Sequence, residues 1–141
     1  MKVGIIGASG YTGQELVSLL IGHPEIELSM VTSRAHAGKP LSDIIPRLGK
    51  CGHNKSFVSP SIEELVDSEI ELFFLALPHG TAAEYAIPLL AAEKKIIDLS
   101  ADFRLNDPAT YEEFYGAKHP APKWLPLAQY GLPELHDLSW E

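Results

Sequence analysis

Gly7-Ala8-Ser9-Gly10-Tyr11-Thr12-Gly13 stands between a short apolar run, residues 3–6, and a stripe of apolar residues over 14–21. The run is continuous and β-branched, the pattern of a strand buried on both faces. The stripe carries Leu16, Val17, Leu19, Leu20 and Ile21 and ends at Gly22-His23-Pro24, where glycine and proline stop a helix. The reading is strand, glycine turn, helix. A helix N-terminus exposes free backbone N–H groups and a partial positive charge, which suit a diphosphate. Glycine in the turn permits unusual dihedrals and close approach of a ligand, and glycine on the helix lets it pack against the strand. The spacing is G-x-x-G-x-x-G rather than the commoner G-x-G-x-x-G, so its place at a strand–helix turn carries more weight than the spacing. Gly7, Ser9, Gly10, Tyr11, Thr12 and Gly13 are the candidate cofactor contacts; the plainer alternative is a tight turn with glycine for packing alone.

Outward from this turn, residues 26–32, 72–77 and 96–99 read as further strands, and 62–67 and 81–92 as helices, the latter just past Gly80. Phe57-Val58 reads as a short extra strand. The alternation predicts an α/β domain with a doubly wound, mostly parallel sheet spanning residues 1–141. Residues 33–60, interrupted by Gly38, Pro40, Pro46, Gly49 and Gly52, read as loops with one short helix over 41–45. From Asp107 the chain is proline-rich (Pro108, Pro120, Pro122, Pro126, Pro133), which predicts a short helix over 109–114 and then irregular chain.

A length of 141 residues suits one domain. Hydrophobic residues at 45% and charged ones at 21% are ordinary for a globular protein and argue against disorder. The formal net charge of −8 opposes a nucleic-acid role and requires that an anionic cofactor be held by local groups. A single cysteine, Cys51, rules out a disulfide within the chain and fits a reducing, cytoplasmic setting. The N-terminus enters a strand without a signal-peptide pattern, and no apolar run is long enough for a bilayer, so no membrane partner is expected. Cys51 has basic neighbours in Arg47, Lys50, His53 and Lys55, which can lower a thiol pKa, but it belongs to no motif and reads as a loop cysteine. Gly38-Lys39 and Gly49-Lys50 fail the P-loop pattern because Pro40 and Cys51 take its final position. His23, His36, His119 and His136 lack metal-ligand spacing, so no metal is expected.

The end of the second strand selects between dinucleotides. An acid there bonds the ribose 2′-OH of NAD. Val31-Thr32-Ser33-Arg34 offers none. Ser33 and Arg34 suit a 2′-phosphate instead, through a charge-assisted bond worth roughly 1.5–3 kcal/mol. NADP is therefore expected; the alternative is a solvated surface arginine. Pro78-His79 follows the third strand, at the carboxyl edge where α/β sheets bind ligands, and can line the nicotinamide pocket. The alternative for His79 is a cap on the next helix. Ser100, Asp102 and Arg104 follow the fourth strand and are candidates for substrate binding, with Arg104 offering a rigid fork for phosphate or carboxylate. An internal Asp102–Arg104 or backbone pairing that shapes the loop is an equal alternative. Trp124 and Trp140 read as packing or interface residues.

Four segments together resemble the N-acetyl-gamma-glutamyl-phosphate reductases. They are Gly7-Ala8-Ser9-Gly10-Tyr11-Thr12-Gly13-Gln14-Glu15-Leu16, Phe74-Leu75-Ala76-Leu77-Pro78-His79-Gly80, Asp98-Leu99-Ser100-Ala101-Asp102-Phe103-Arg104-Leu105 and Tyr130-Gly131-Leu132-Pro133-Glu134-Leu135. The resemblance implies a Rossmann NADP-binding domain of an enzyme of arginine biosynthesis. That family uses NADPH to reduce the small-molecule acyl phosphate N-acetyl-glutamyl 5-phosphate to its semialdehyde. A cysteine thiolate attacks, phosphate leaves, and hydride reduces the thioester. The family's nucleophile lies in a Gly-Cys-Tyr-Pro-Thr type motif past Leu135, and a catalytic histidine lies in a second domain. Neither is among these residues, so the chain is expected to bind cofactor without turnover, to lack the sheet's last strand, and to belong to a homo-oligomeric enzyme. Aspartate-semialdehyde dehydrogenase is the nearest rival, opposed by the third and fourth segments. A non-catalytic NADP-binding regulatory module is the rival of another class.

Overall fold

In a computed structural model, residues 1–52 and 54–131 are described, without the Cys51 side chain. His53, His136, Trp140 and the Leu132–Leu135 part of the fourth segment lie outside the described residues.

The N-terminal apolar run is the central strand. β1 (Lys2–Ile6) pairs in parallel with β2 (Glu27–Val31) on one side and with β3 (Leu72–Leu75) on the other. β4 (Lys95–Asp98) pairs in parallel with β3. The order is β2-β1-β3-β4. The chain therefore moves outward from β1 to β2 and crosses back to β3, leaving a crevice at the carboxyl end of β1 where the direction reverses.

Alternation along β1 divides the core between two layers. Val3 and Ile5 face one cluster, with Val17 and Leu20 of α1 (Tyr11–Leu20), Leu41 of α2 (Leu41–Ile44), Leu28, Val31, Ile45 and Phe57. Ile6 faces the other, with Leu65 of α3 (Ile62–Val66), Ala82, Ala86 and Leu89 of α4 (Ala82–Ala91), Ile70, Phe73 and Leu75. Helices thus cover both faces, and the sheet is doubly wound.

Local chemistry sets the helix ends. Ser61 and Glu64 form a reciprocal capping box on α3. α5 (Pro108–Tyr115) starts with Asp107 accepting from Thr110 N at 2.7 Å and stops at Gly116 in the left-handed conformation.

Three expectations change. Phe57-Val58 is no strand but a single parallel bridge, in which Val58 N donates to Val31 O at 3.0 Å and Ser33 N to Val58 O at 2.9 Å. The third strand ends at Leu75 rather than at residue 77, as the chain turns toward Pro78. Pro46–Gly52, which is broken by a non-helical kink at Gly49, and Pro122–Leu127, both expected to be irregular, form 3-10 turns. Proline opens each of them, with a dihedral that suits the tight turn. Among the described residues no helix is long and apolar enough to cross a membrane.

Candidate functional site

The glycine turn is built by bonds from its backbone amides to Thr32 at the end of β2. Ala8 N donates to Thr32 O at 2.9 Å, and Gly7 N to Thr32 Oγ1 at 3.3 Å. Gly10 N closes the turn on Gly7 O at 3.2 Å. The Ser9 and Ser33 hydroxyls share a bond of 2.8 Å, and Gln14 Nε2 donates to Ser9 O at 2.8 Å. The first bond into α1 runs from Gln14 N to Gly10 O at 2.8 Å. The amides of Tyr11, Thr12 and Gly13 precede it and have no acceptor within the helix. No acidic side chain sits in this first turn to neutralise it.

The three glycines have different causes. Gly7 has φ +85°, and a Cβ on it would overlap Ala76 O. A Cβ on Gly13 would overlap Gly7 O and Ala8 Cα, because α1 lies hard against the turn. Gly10 has φ −71°, and a Cβ there meets nothing nearer than Gly7 O at 3.6 Å. Packing and dihedral therefore explain Gly7 and Gly13 but not Gly10, whose bare backbone faces solvent at the head of the helix. Tyr11, 93% exposed, and Thr12 flank that opening.

At the end of β2, Ser33 is buried, with its hydroxyl on Ser9. Arg34 is exposed and makes no ion pair among the described residues. Beside it is a recess of about 50 Å³ lined by Thr32, Arg34, Ser59, Pro60, Leu65 and Tyr85. Ser59 and Tyr85 were not singled out by sequence reading, since they come from distant segments. A larger cavity of about 310 Å³ runs along the outer edge of β2, from Leu28 to Val31 and past Lys55 and Val58. It shares no residue with the glycine turn.

At the ends of β3 and β4 the expected residues separate. Pro78 and His79 are exposed, and the His79 ring lies 5.8 Å from that of Tyr115. Ser100 is occupied locally: its hydroxyl donates to Asp98 Oδ2 at 2.8 Å and accepts from Asp102 N at 3.1 Å. Burial holds the Asp98 carboxyl above the usual aspartate range, although the Ser100 bonds oppose this. Asp102 is not open to a ligand. It is 0% exposed, and its carboxylate accepts from the amides of Gly80 and Ala83. It therefore pairs with backbone, and no Asp102–Arg104 ion pair occurs among the described residues. Arg104 is exposed, donates to Ser100 O at 3.3 Å and lies 5.7 Å from the Tyr130 ring centre, so its fork remains available at the rim. Sequence reading missed His119 and Tyr111, both buried around Asp102. Nothing in their spacing marks them, because the loop alone brings them together. Among the described residues no three His, Cys, Asp or Glu side chains converge on a point suited to a metal.

Comparison with known proteins agrees with this fold. The family model described as semialdehyde dehydrogenase, NAD binding domain, matches residues 2–139. An N-acetyl-gamma-glutamyl-phosphate reductase of Desulfotalea psychrophila is 50% identical over 140 residues, covering 96% of this chain and 38% of that protein. The Akkermansia muciniphila protein of the same name is 46% identical over 135 residues, covering 95% and 39%. A [LysW]-L-2-aminoadipate/[LysW]-L-glutamate phosphate reductase of Saccharolobus solfataricus is 47% identical over 137 residues, covering 96% and 38%. The chain thus spans 38–39% of the length of these relatives. Among solved structures, the aspartate semialdehyde dehydrogenase with NADP from Candida albicans shares the fold, with a TM-score of 0.61 at 20% identity over 84% of this chain and 40% of that one.

Proposed function

The chain belongs to the semialdehyde dehydrogenase NAD-binding domain family, and we propose that it is the NADP-binding domain of an N-acetyl-gamma-glutamyl-phosphate reductase acting in arginine biosynthesis. One observation carries the choice of cofactor. A helix N-terminus with an unexplained bare glycine, Gly10, lies beside a strand end that offers a free Arg34 and no acid. The free amides of Tyr11, Thr12 and Gly13 suit a diphosphate that approaches over the bare Gly10, and Arg34 suits the 2′-phosphate. Ser59 and Tyr85 line the recess beside Arg34, on the side of the turn where the adenosine end would lie. Pro78 and His79, on the other side of β1, suit the nicotinamide end, and Arg104 at the rim suits an anionic group of the substrate.

The bound cofactor supplies the hydride. The chain's own residues hold and orient it, so that its reactive carbon faces a thioester formed elsewhere in the parent protein. Residues 1–141 contain no Gly-Cys-Tyr-Pro-Thr motif, and we place the nucleophile outside them. By this reading residues 1–141 bind NADPH without reducing the acyl phosphate. A cytoplasmic, homo-oligomeric parent enzyme belongs to the same reading.

A second substrate has support of its own. The relative named for [LysW]-linked substrates is 47% identical, level with the 46–50% of the other relatives. The parent protein assayed with N-acetyl-glutamyl 5-phosphate and with a [LysW]-linked glutamate phosphate separates the two. The cofactor reading is tested by titrating the chain with NADPH and NADH and following nicotinamide fluorescence. Saturable binding, tighter for NADPH, is expected; equal affinities or no saturation overturn it.

A further inference from the structure

Asp102 lies on the loop that leaves β4, yet its carboxylate serves the loop that leaves β3 and the first turn of α4 that follows it. Oδ1 accepts from Gly80 N at 2.5 Å and Oδ2 from Ala83 N at 3.1 Å. The Tyr111 hydroxyl, on α5, donates to Oδ1 at 3.4 Å. Burial raises the Tyr111 phenol, and the Asp102 charge raises it further, so the hydroxyl stays a donor. The backbone is committed too. His119 Nε2 lies 2.5 Å from Asp102 O, and His119 Nδ1 accepts from Ala121 N at 3.0 Å. With Nδ1 accepting, the ring proton sits on Nε2 and points at that carbonyl.

A fully buried carboxylate is expensive unless its lone pairs are satisfied. Here they are satisfied by Gly80 N in the loop after β3 and by Ala83 N in the first turn of α4, although α4 has a residue of its own that can cap it. Thr81 stands at the N-cap and makes no side-chain cap bond. The bond to Gly80 is placed directly after His79, at a residue with φ +80°, a conformation that favours glycine. The loop's other support is aromatic. The His79 ring lies 5.8 Å from Tyr115, Tyr115 lies 4.7 Å from Tyr111, and Tyr111 lies 4.7 Å from His119. Both supports converge on Asp102.

We propose that Asp102 is a positioning residue that sets the Pro78-His79-Gly80 loop for the nicotinamide half of the dinucleotide. This rests on the NADP reading above. Asp102 has no part in the adenosine half, which lies across β1 at Arg34. The strand order puts Arg34, past β2, and the Pro78-His79-Gly80 loop, past β3, on opposite sides of β1 and its glycine turn.

The test is Asp102→Asn in the full chain. The variant keeps the size of the side chain but turns one acceptor oxygen into an NH2 group facing an amide donor. Dissociation constants are measured for NADPH and for adenosine 2′,5′-bisphosphate, which carries the 2′-phosphate but no nicotinamide. NADPH is expected to weaken by about tenfold, as for a lost bond to a charged group, with the bisphosphate unchanged. Parallel losses make Asp102 a general support of the fold and overturn the proposal, as does no loss for either ligand. Should Asp102→Asn fail to fold, Tyr111→Phe removes only the 3.4 Å bond, and the same comparison applies. A smaller loss confined to NADPH supports the proposal; any other pattern overturns it. If the wild-type chain binds neither ligand, the dinucleotide reading falls and takes this inference with it.

Discussion

The Ser9 hydroxyl lies 2.8 Å from the Ser33 hydroxyl, so a side-chain bond ties the glycine turn to the end of β2. Arg34 is the next residue along that strand end, and this tie adds to the Ala8 and Gly7 bonds to Thr32 that fix the strand end against the turn. Ser33→Ala leaves the part-buried Ser9 hydroxyl without that partner. Stability is expected to fall by about 1 kcal/mol. The reading is a lower urea midpoint at unchanged slope, with NADPH affinity falling alongside it. An unchanged midpoint would show that the bond contributes nothing.

Arg34 carries the choice between cofactors. Arg34→Ala is expected to weaken NADPH binding by about tenfold to a hundredfold, through loss of a charge-assisted bond to the 2′-phosphate. NADH binding should barely change. Equal losses for the two cofactors would refute the assignment.

Gly10 and Gly13 separate binding from packing. Gly13→Ala drives a methyl group into Gly7 O and Ala8 Cα, neither of which can move aside cheaply. A loss of about 1–3 kcal/mol is expected, as for other overpacked sites. Gly10→Ala has room within the protein, and its stability change should stay under about 1 kcal/mol at a helix N-cap. The dinucleotide should nonetheless bind much more weakly to Gly10→Ala. Thermal melts beside NADPH titrations decide this, and full NADPH affinity in Gly10→Ala would count against a diphosphate at that point.

Asp98 predicts a pH dependence. Burial keeps its proton on to higher pH in the folded chain than in the unfolded one. Between the two pKa values the native state binds more protons, so stability falls as pH rises from the ordinary aspartate value through the raised one. Asp98→Asn removes that slope. The melting temperature of the variant relative to wild type should therefore climb as pH rises through this window and level off above it. A gap that stays constant with pH would contradict the raised value.

Much of the fold was legible in the residues because it rests on local patterns. Continuous apolar runs marked the strands to within two residues. Gly80 located the start of α4, the helix expected over 109–114 is α5 with one more residue at each end, and Gly7 and Gly13 marked a turn that tolerates no side chain. The Pro46–Gly52 and Pro122–Leu127 segments were not legible, since one proline-led turn looks like any other loop until neighbours pack on it. For the site, Arg34 and His79 are exposed at the strand ends where they were expected. Ser33 and Asp102 stand in the expected segments but are buried, because polar partners from other loops draw them inward.

From the sequence alone came the strand–turn–helix unit, the parallel alternation, the missing acid after β2 and the kinship of the four segments. These depend on residues close together in the chain, or on patterns that survive without coordinates. The tertiary structure alone decided which polar groups face solvent and which are tied up inside. It brought Ser59 and Tyr85 to Arg34, and Tyr111 and His119 to Asp102. Burial and hydrogen bonding between distant segments follow from how the loops cross the sheet's carboxyl edge, and no window along the chain encodes that crossing.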